Sequence, residues 1–203
     1  KPLVFTGQLD RMAPRRLVET GKFWTDVTTR DGVERSSEGF KSAVRVRLMH
    51  AQVRYMLKQS PKWDEAAWGH PINQSDSMAT ILEFSSVFLL GLRVVGFRFT
   101  QEEREAVVHL WRYVGYLMGV DERILPASEA DSLRALWLQY YTVAESDEDS
   151  RALGQALHNV PLQQAGASRW RQRVAAIESG YRSAFSRLVL GDGNGDALGL
   201  PRS

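Results

Sequence analysis

Nowhere in this chain of 203 residues do apolar and polar side chains alternate with a period of two for more than a few positions. That leaves no half-buried strand from which to build a sheet. Apolar residues instead recur every three to four positions, the spacing that lines one face of a helix. Val107, Leu110, Trp111, Val114 and Met118 form one such set, and the capping-box pattern Thr100-Gln-Glu-Glu103 ahead of them predicts a helix to about residue 118. With 43% hydrophobic residues, the chain can bury a sizeable core as one domain. The expected fold class is all-α, a single-domain helical bundle over residues 1–190. Gly191 to Gly195 cannot continue a helix and are expected to open a flexible tail over 191–203.

Taken in order, residues 1–10 read as an extended lead-in, and Pro14 fits the first turn of a helix to about Val27, with Leu17 and Phe23 or Trp24 facing inward. Asp31-Gly32 marks a reversal. Ser36-Ser37 then starts a helix that Ser60-Pro61 ends, since proline disfavours helical geometry in the residue before it. Residues 63–76 read as a tryptophan-rich loop with one helical turn, and Ser75 or Asp76 as the cap of an apolar helix over 78–97. That helix has the length of a membrane span, but Glu83 and Arg93 interrupt it, so a buried central helix without stable membrane insertion is expected. Further helices are expected from Ser128 to about Glu145, from Asp147 to about Leu157 and, after a loop over 161–167, from Ser168 to Leu190. Arg169, Arg171, Arg173, Arg182 and Arg187 read as the solvated face of the last.

Composition narrows the chemistry. The net charge is only +2, no basic cluster alternates with aromatics, and no nucleic-acid motif is present, so no nucleic-acid partner is expected. With no cysteine there is no disulfide, thiolate haem ligand or catalytic thiol. The same absence is compatible with a reducing cytosol, and a cytoplasmic protein is expected, although a chain whose first residue is Lys1 leaves a removed signal peptide open. Hydrolase, zincin, P-loop and Rossmann motifs are missing. The histidines at 50, 70, 109 and 158 are too dispersed for a multi-histidine cage. His109 reads as a surface residue, and Glu83 as either a pocket acid or a salt-bridged helix residue.

The stretch from Arg45 to Tyr55 is the most unusual. At about 100° per residue, Arg47, His50 and Arg54 fall within about 60° of one another, flanked by Val46, Val53 and Leu57. Two readings are open. The imidazole bonds a carbonyl while the arginines meet carboxylates, or it ligates a metal while the arginines face anionic groups of the same ligand.

Arg47-x-x-His50-x-x-x-Arg54, followed by Trp68-Gly69-His70-Pro71-Ile72-Asn73-Gln74-Ser75-Asp76, resembles the latex clearing proteins, or rubber oxygenases, and the related fungal oxygenase that trims a prenyl chain in mycophenolic acid biosynthesis. The likeness continues through His109-Leu-Trp-Arg-Tyr-Val-Gly-Tyr-Leu-Met-Gly-Val120 and Leu125-Pro126, and so covers residues 8 to 145. It implies a globin-like haem-binding core, a b-type haem with His50 as axial ligand, and dioxygen as co-substrate. Arg47 and Arg54 would neutralise haem propionates or brace the ligand helix. The family's distal arginine, lysine and threonine fall at Arg16, Glu19 and Thr20, so the lysine that caps iron in some relatives is a glutamate here. The resemblance thus implies an oxygenase acting on the double bond of a hydrophobic, isoprenoid-like small molecule, with rubber itself less expected because of Glu19. Two alternatives stand beside it: a non-catalytic helical carrier of haem or an apolar ligand, and a relative that has lost its haem.

Overall fold

Among the described residues, which are 1–5, 9–143 and 145–202 of the computed structural model, every regular element is helical. In order they are α1 (Pro2–Phe5), α2 (Leu9–Thr28), α3 (Glu38–Gln59), α4 (Glu65–Trp68), α5 (Gln74–Leu82), a π-helical turn (Glu83–Val87), α6 (Phe88–Val94), α7 (Gln101–Met118), α8 (Glu129–Thr142), α9 (Glu148–Gln164), α10 (Arg169–Leu190) and α11 (Asp192–Ala197). They group into two compact units, 21–143 and 1–20 with 144–203, the boundary falling inside α2.

The core of the 21–143 unit is built around α7. Trp111 is 1% exposed, stacked on Phe84 with ring centroids 5.0 Å apart and tilted against Phe23 at 6.3 Å. Val27, Ala43, Ile81 and Val114 close the same cluster. Burying a side chain of this size contributes roughly 3 kcal/mol. The helix starts where its sequence says it should, with Thr100 and Glu103 exchanging side-chain and backbone bonds. The turn from α2 to α3 depends on two glycines: a Cβ on Gly32 would lie 2.2 Å from the Asp26 carbonyl oxygen, and one on Gly39 2.3 Å from that of Gly32. Ser42 Oγ donates to the Asp26 carboxylate at 2.7 Å across this corner. The Lys22 ammonium and then Ser42 hold that carboxyl below its usual range.

In the other unit, α9 and α10 form an antiparallel pair. Small and polar residues of α10, Ala175, Ser179, Ser183 and Arg187, are the buried ones, and Ser179 Oγ donates to the His158 carbonyl at 2.6 Å. Ala13 of α2 packs with Ala156 and Val160 of α9.

Several local expectations are corrected. The lead-in over 1–10 contains α1 and the first turn of α2, with residues 6–8 outside the described set, so Pro14 lies inside a helix that begins at Leu9. Leu17 is exposed, while Phe23 does face inward. The helix expected to end near Leu157 runs through Pro161 to Gln164. Val160 and Pro161 are both buried, and that burial offsets the donor that proline lacks. The helix from Ser128 ends at Thr142, with Ala144 outside the described residues. The segment expected as a flexible tail carries α11 and is clamped by Arg187, which is buried rather than solvated. Arg187 Nε donates to the Pro201 carbonyl at 2.9 Å and Nη2 to the Asp196 carboxylate at 2.7 Å.

The apolar helix expected over 78–97 is also different in kind. It runs from Gln74 to Val94 with a π turn at its middle, and by length and composition it could cross a membrane. Its burial is one-sided: Ile81, Leu82, Ser85, Ser86 and Leu89 are buried, whereas Phe88, Leu90 and Val94 are exposed. The wide turn lets Phe84 stack on Trp111 while Ser86 bonds Ser132 of α8.

Candidate functional site

α3 carries the candidate ligand. Ser37 caps it, Glu38 adds negative charge in the first turn, and Ser60 ends it ahead of Pro61. Gly39, Ala43 and Leu57 are its buried residues, and Val46 packs against the core. At helical spacing these define an inward face, and His50 falls on it. Leu48, Met49, Tyr55 and Met56 lie on the opposite side and are exposed.

His50 is half-buried, and its ring has no hydrogen-bond partner among the described residues. Burial first, and the nearby Arg54 cation second, push its pKa below the usual value. The ring is therefore neutral at pH 7, with a lone pair to offer. An inward, neutral imidazole that protein groups leave unpartnered is the donor that a haem iron requires, so this position fits the implied cofactor.

The arginines of the stripe serve as braces. Arg54 sends Nε to the Pro71 carbonyl at 3.2 Å and Nη2 to the Ile72 carbonyl at 2.7 Å. It thereby holds the loop before α5, where Ile72 sits at φ 50, a left-handed conformation rare for a β-branched residue. Arg47 Nη1 donates to the Leu117 carbonyl at 3.3 Å, and its guanidinium lies over Gly119, where a Cβ would come within 2.9 Å of Nε. Gly119 ends α7 in the left-handed region at φ 90. Gln74 completes the set by donating to the Gly119 carbonyl at 3.1 Å and accepting from the Asp121 amide at 2.7 Å. The three stretches singled out in sequence thus bond to one another, and together they fix how α3 presents His50.

Neighbouring residues resolve into structural roles. Asn73, not Ser75 or Asp76, caps α5, with Asp76 returning the bond. Trp63 Nε1 donates to the Gly69 carbonyl at 2.9 Å and its ring meets Trp68 edge-on. His109 is exposed, as expected. A groove of about 450 Å³ lies beside Arg47, between α3 and the end of α7, lined by Phe40, Val44, Tyr116 and Val120.

Glu83 has no ion-pair partner among the described residues. Water reaches part of its side chain, but protein crowds the rest, and burial pushes its carboxyl above the usual range. A raised folded-state pKa means that the charged form weakens the fold at neutral pH, a penalty removed as pH falls through that value. Glu83→Gln is therefore expected to raise Tm at about pH 7.5, with the gain gone by about pH 4. Thermal melts at the two pH values check this, and an equal or lower Tm for the variant at the higher pH contradicts it.

Arg16, Glu19 and Thr20 lie on α2, in the other unit. Glu19 is exposed and accepts from Arg15 Nε at 2.7 Å, one of the roles expected for it. Arg16 is half-buried and Thr20 exposed.

The three linked stretches are those on which the resemblance to the rubber oxygenases was read. The chain belongs to the family described as ER-bound oxygenase mpaB/B' and rubber oxygenase, catalytic domain, which matches over residues 1–203. It is similar to the rubber oxygenase of Streptomyces sp. (strain K30), 28% identical over an alignment of 194 positions that covers 92% of this chain. The chain spans 44% of that relative's length. No solved structure matches it.

Proposed function

We propose that this chain is a haem-b-dependent oxygenase that cleaves or oxygenates a carbon–carbon double bond in a hydrophobic, isoprenoid-like small molecule. Family membership supports the oxygenase class, and the inward, unpartnered imidazole of His50 is the observation that carries the haem. When bound, a b-type haem supplies a redox-active iron for work on dioxygen. The chain's own residues do the rest. His50 offers a neutral ring nitrogen, and Arg54 with Gln74 keeps its helix in register with the 69–73 loop and the end of α7. Arg47, whose other donors make no bond among the described residues, is assigned to an anionic edge of the cofactor.

The roles of Arg16, Glu19 and Thr20 rest on their spacing in the sequence. Thr20 Oγ1 donates a hydrogen bond, Arg16 stabilises developing negative charge, and Glu19 serves as a general base or simply pairs with Arg15. In the cleavage reaction one alkene and one dioxygen give two carbonyl products, and no external reductant is needed. The test is oxygen consumption by haem-loaded protein across a panel of unsaturated isoprenoids, with carbonyl products measured. Uptake matched by carbonyl formation is expected. A protein that binds haem but consumes no oxygen with any of them is instead the non-catalytic carrier.

A further inference from the structure

Helix α10 is turned the wrong way for an ordinary surface helix. Its buried face, Ala175, Ser179, Ser183 and Arg187, is small or polar, while its apolar residues look outward. Trp170, Val174, Ile177, Tyr181, Ala184 and Leu188 follow one another at alternating steps of four and three, the seam spacing of a two-helix coiled coil. Trp170 is 72% exposed, Ile177 74% and Tyr181 68%. A scattered exposed leucine needs no explanation, but a continuous stripe along a helix of 22 residues does.

We infer that this stripe is the contact surface for a second copy of the chain, with the two α10 helices antiparallel about a twofold axis. Setting Trp170 against Tyr181 of the other copy, and Val174 against its Ile177, brings each Arg171 alongside the opposite Glu178, so two ion pairs flank the apolar layers. Among the described residues, Glu178 is held in the single chain by Arg182, four residues on, at 2.5 Å. Both partners of that pair are well exposed, so re-pairing costs little. A groove of about 240 Å³ runs beside the same stretch, walled by Pro161, Ala165, Trp170 and Val174 with Arg171 and Glu178 at its edge. It gives the opposing tyrosine a place to enter. Two such seams closing on each other bury on the order of 1,000 Å², the size at which stable interfaces begin.

Sedimentation velocity of the full chain over a range of concentrations tests this. A dimer is expected that Ile177→Asp converts to monomer with unchanged helical circular dichroism, since that side chain contacts little within one chain. Arg171→Glu and Glu178→Arg should each weaken the dimer at least about tenfold, and the two together should restore it. A monomer at every concentration overturns the inference, as does a dimer indifferent to Ile177→Asp.

Discussion

Replacing His50 with alanine is expected to abolish the Soret band of the haem-loaded protein while leaving its helical content intact. The ring makes no hydrogen bond among the described residues, so its removal leaves no protein group unsatisfied. It is only half-buried, so the lost packing amounts to about 1 kcal/mol. If His50 holds the haem as proposed, the same substitution would also remove the nitrogen that coordinates the cofactor. The two effects therefore separate cleanly: haem content falls to background, and the apo melting curve moves little. His109 serves as the control, because it is exposed on α7 and its alanine variant should bind haem as the parent does. Titration of both variants with haemin, followed by absorption and circular dichroism, distinguishes the outcomes. An unchanged Soret band in His50→Ala removes the axial assignment.

Arg54→Ala should produce the largest stability loss among Arg47, His50 and Arg54. The guanidinium makes two charge-assisted bonds to the Pro71 and Ile72 carbonyls, and Pro71 is fully buried. Hydrogen bonds to a charged group contribute about 1.5–3 kcal/mol each, and relaxation of the Ile72 strain returns about 1 kcal/mol. The net cost is about 2–5 kcal/mol, which lowers Tm by roughly 4–20 °C in a chain of this size. Lysine cannot fork across two carbonyls, so Arg54→Lys should recover less than half of the loss. Freed from its brace, the 69–73 loop should also let α3 shift, and haem affinity should fall with Tm. Thermal melts of the apo proteins decide the first point, and a shift under about 2 °C for the alanine variant contradicts the brace.

Much of the fold was legible because its signals are local. Caps at Ser37, Thr100, Ser128 and Asp147 all stand where hydroxyl or carboxylate side chains precede apolar periodicity. The missed features depend on partners far along the chain. Pro161 reads as a helix end until its burial is known, and Arg187 reads as solvated until Asp196 and Pro201 are seen folding back onto it. The π turn had no local marker, because Glu83 to Val87 is as helical in pattern as its neighbours and the wide turn answers to Trp111 and Ser132.

For the site, the stripe of Arg47, His50 and Arg54 announced an unusual helix face, and the imidazole's inward place agrees with it. Helical periodicity puts the two arginines on that face but says nothing of their acceptors, which are backbone carbonyls in the 69–73 loop and at the end of α7. Gln74 could have been singled out only by knowing that the turn after Gly119 lies against it.

The central claim is that one imidazole of this chain binds the iron of a b-type haem. Resonance Raman spectra of the ferrous haem-loaded protein, prepared with ordinary and with nitrogen-15-labelled histidine, address it directly. An iron–imidazole stretching band that shifts with the label and disappears in His50→Ala is the expected result. Haem bound with no histidine-sensitive band, or a band that survives in that variant, contradicts the account.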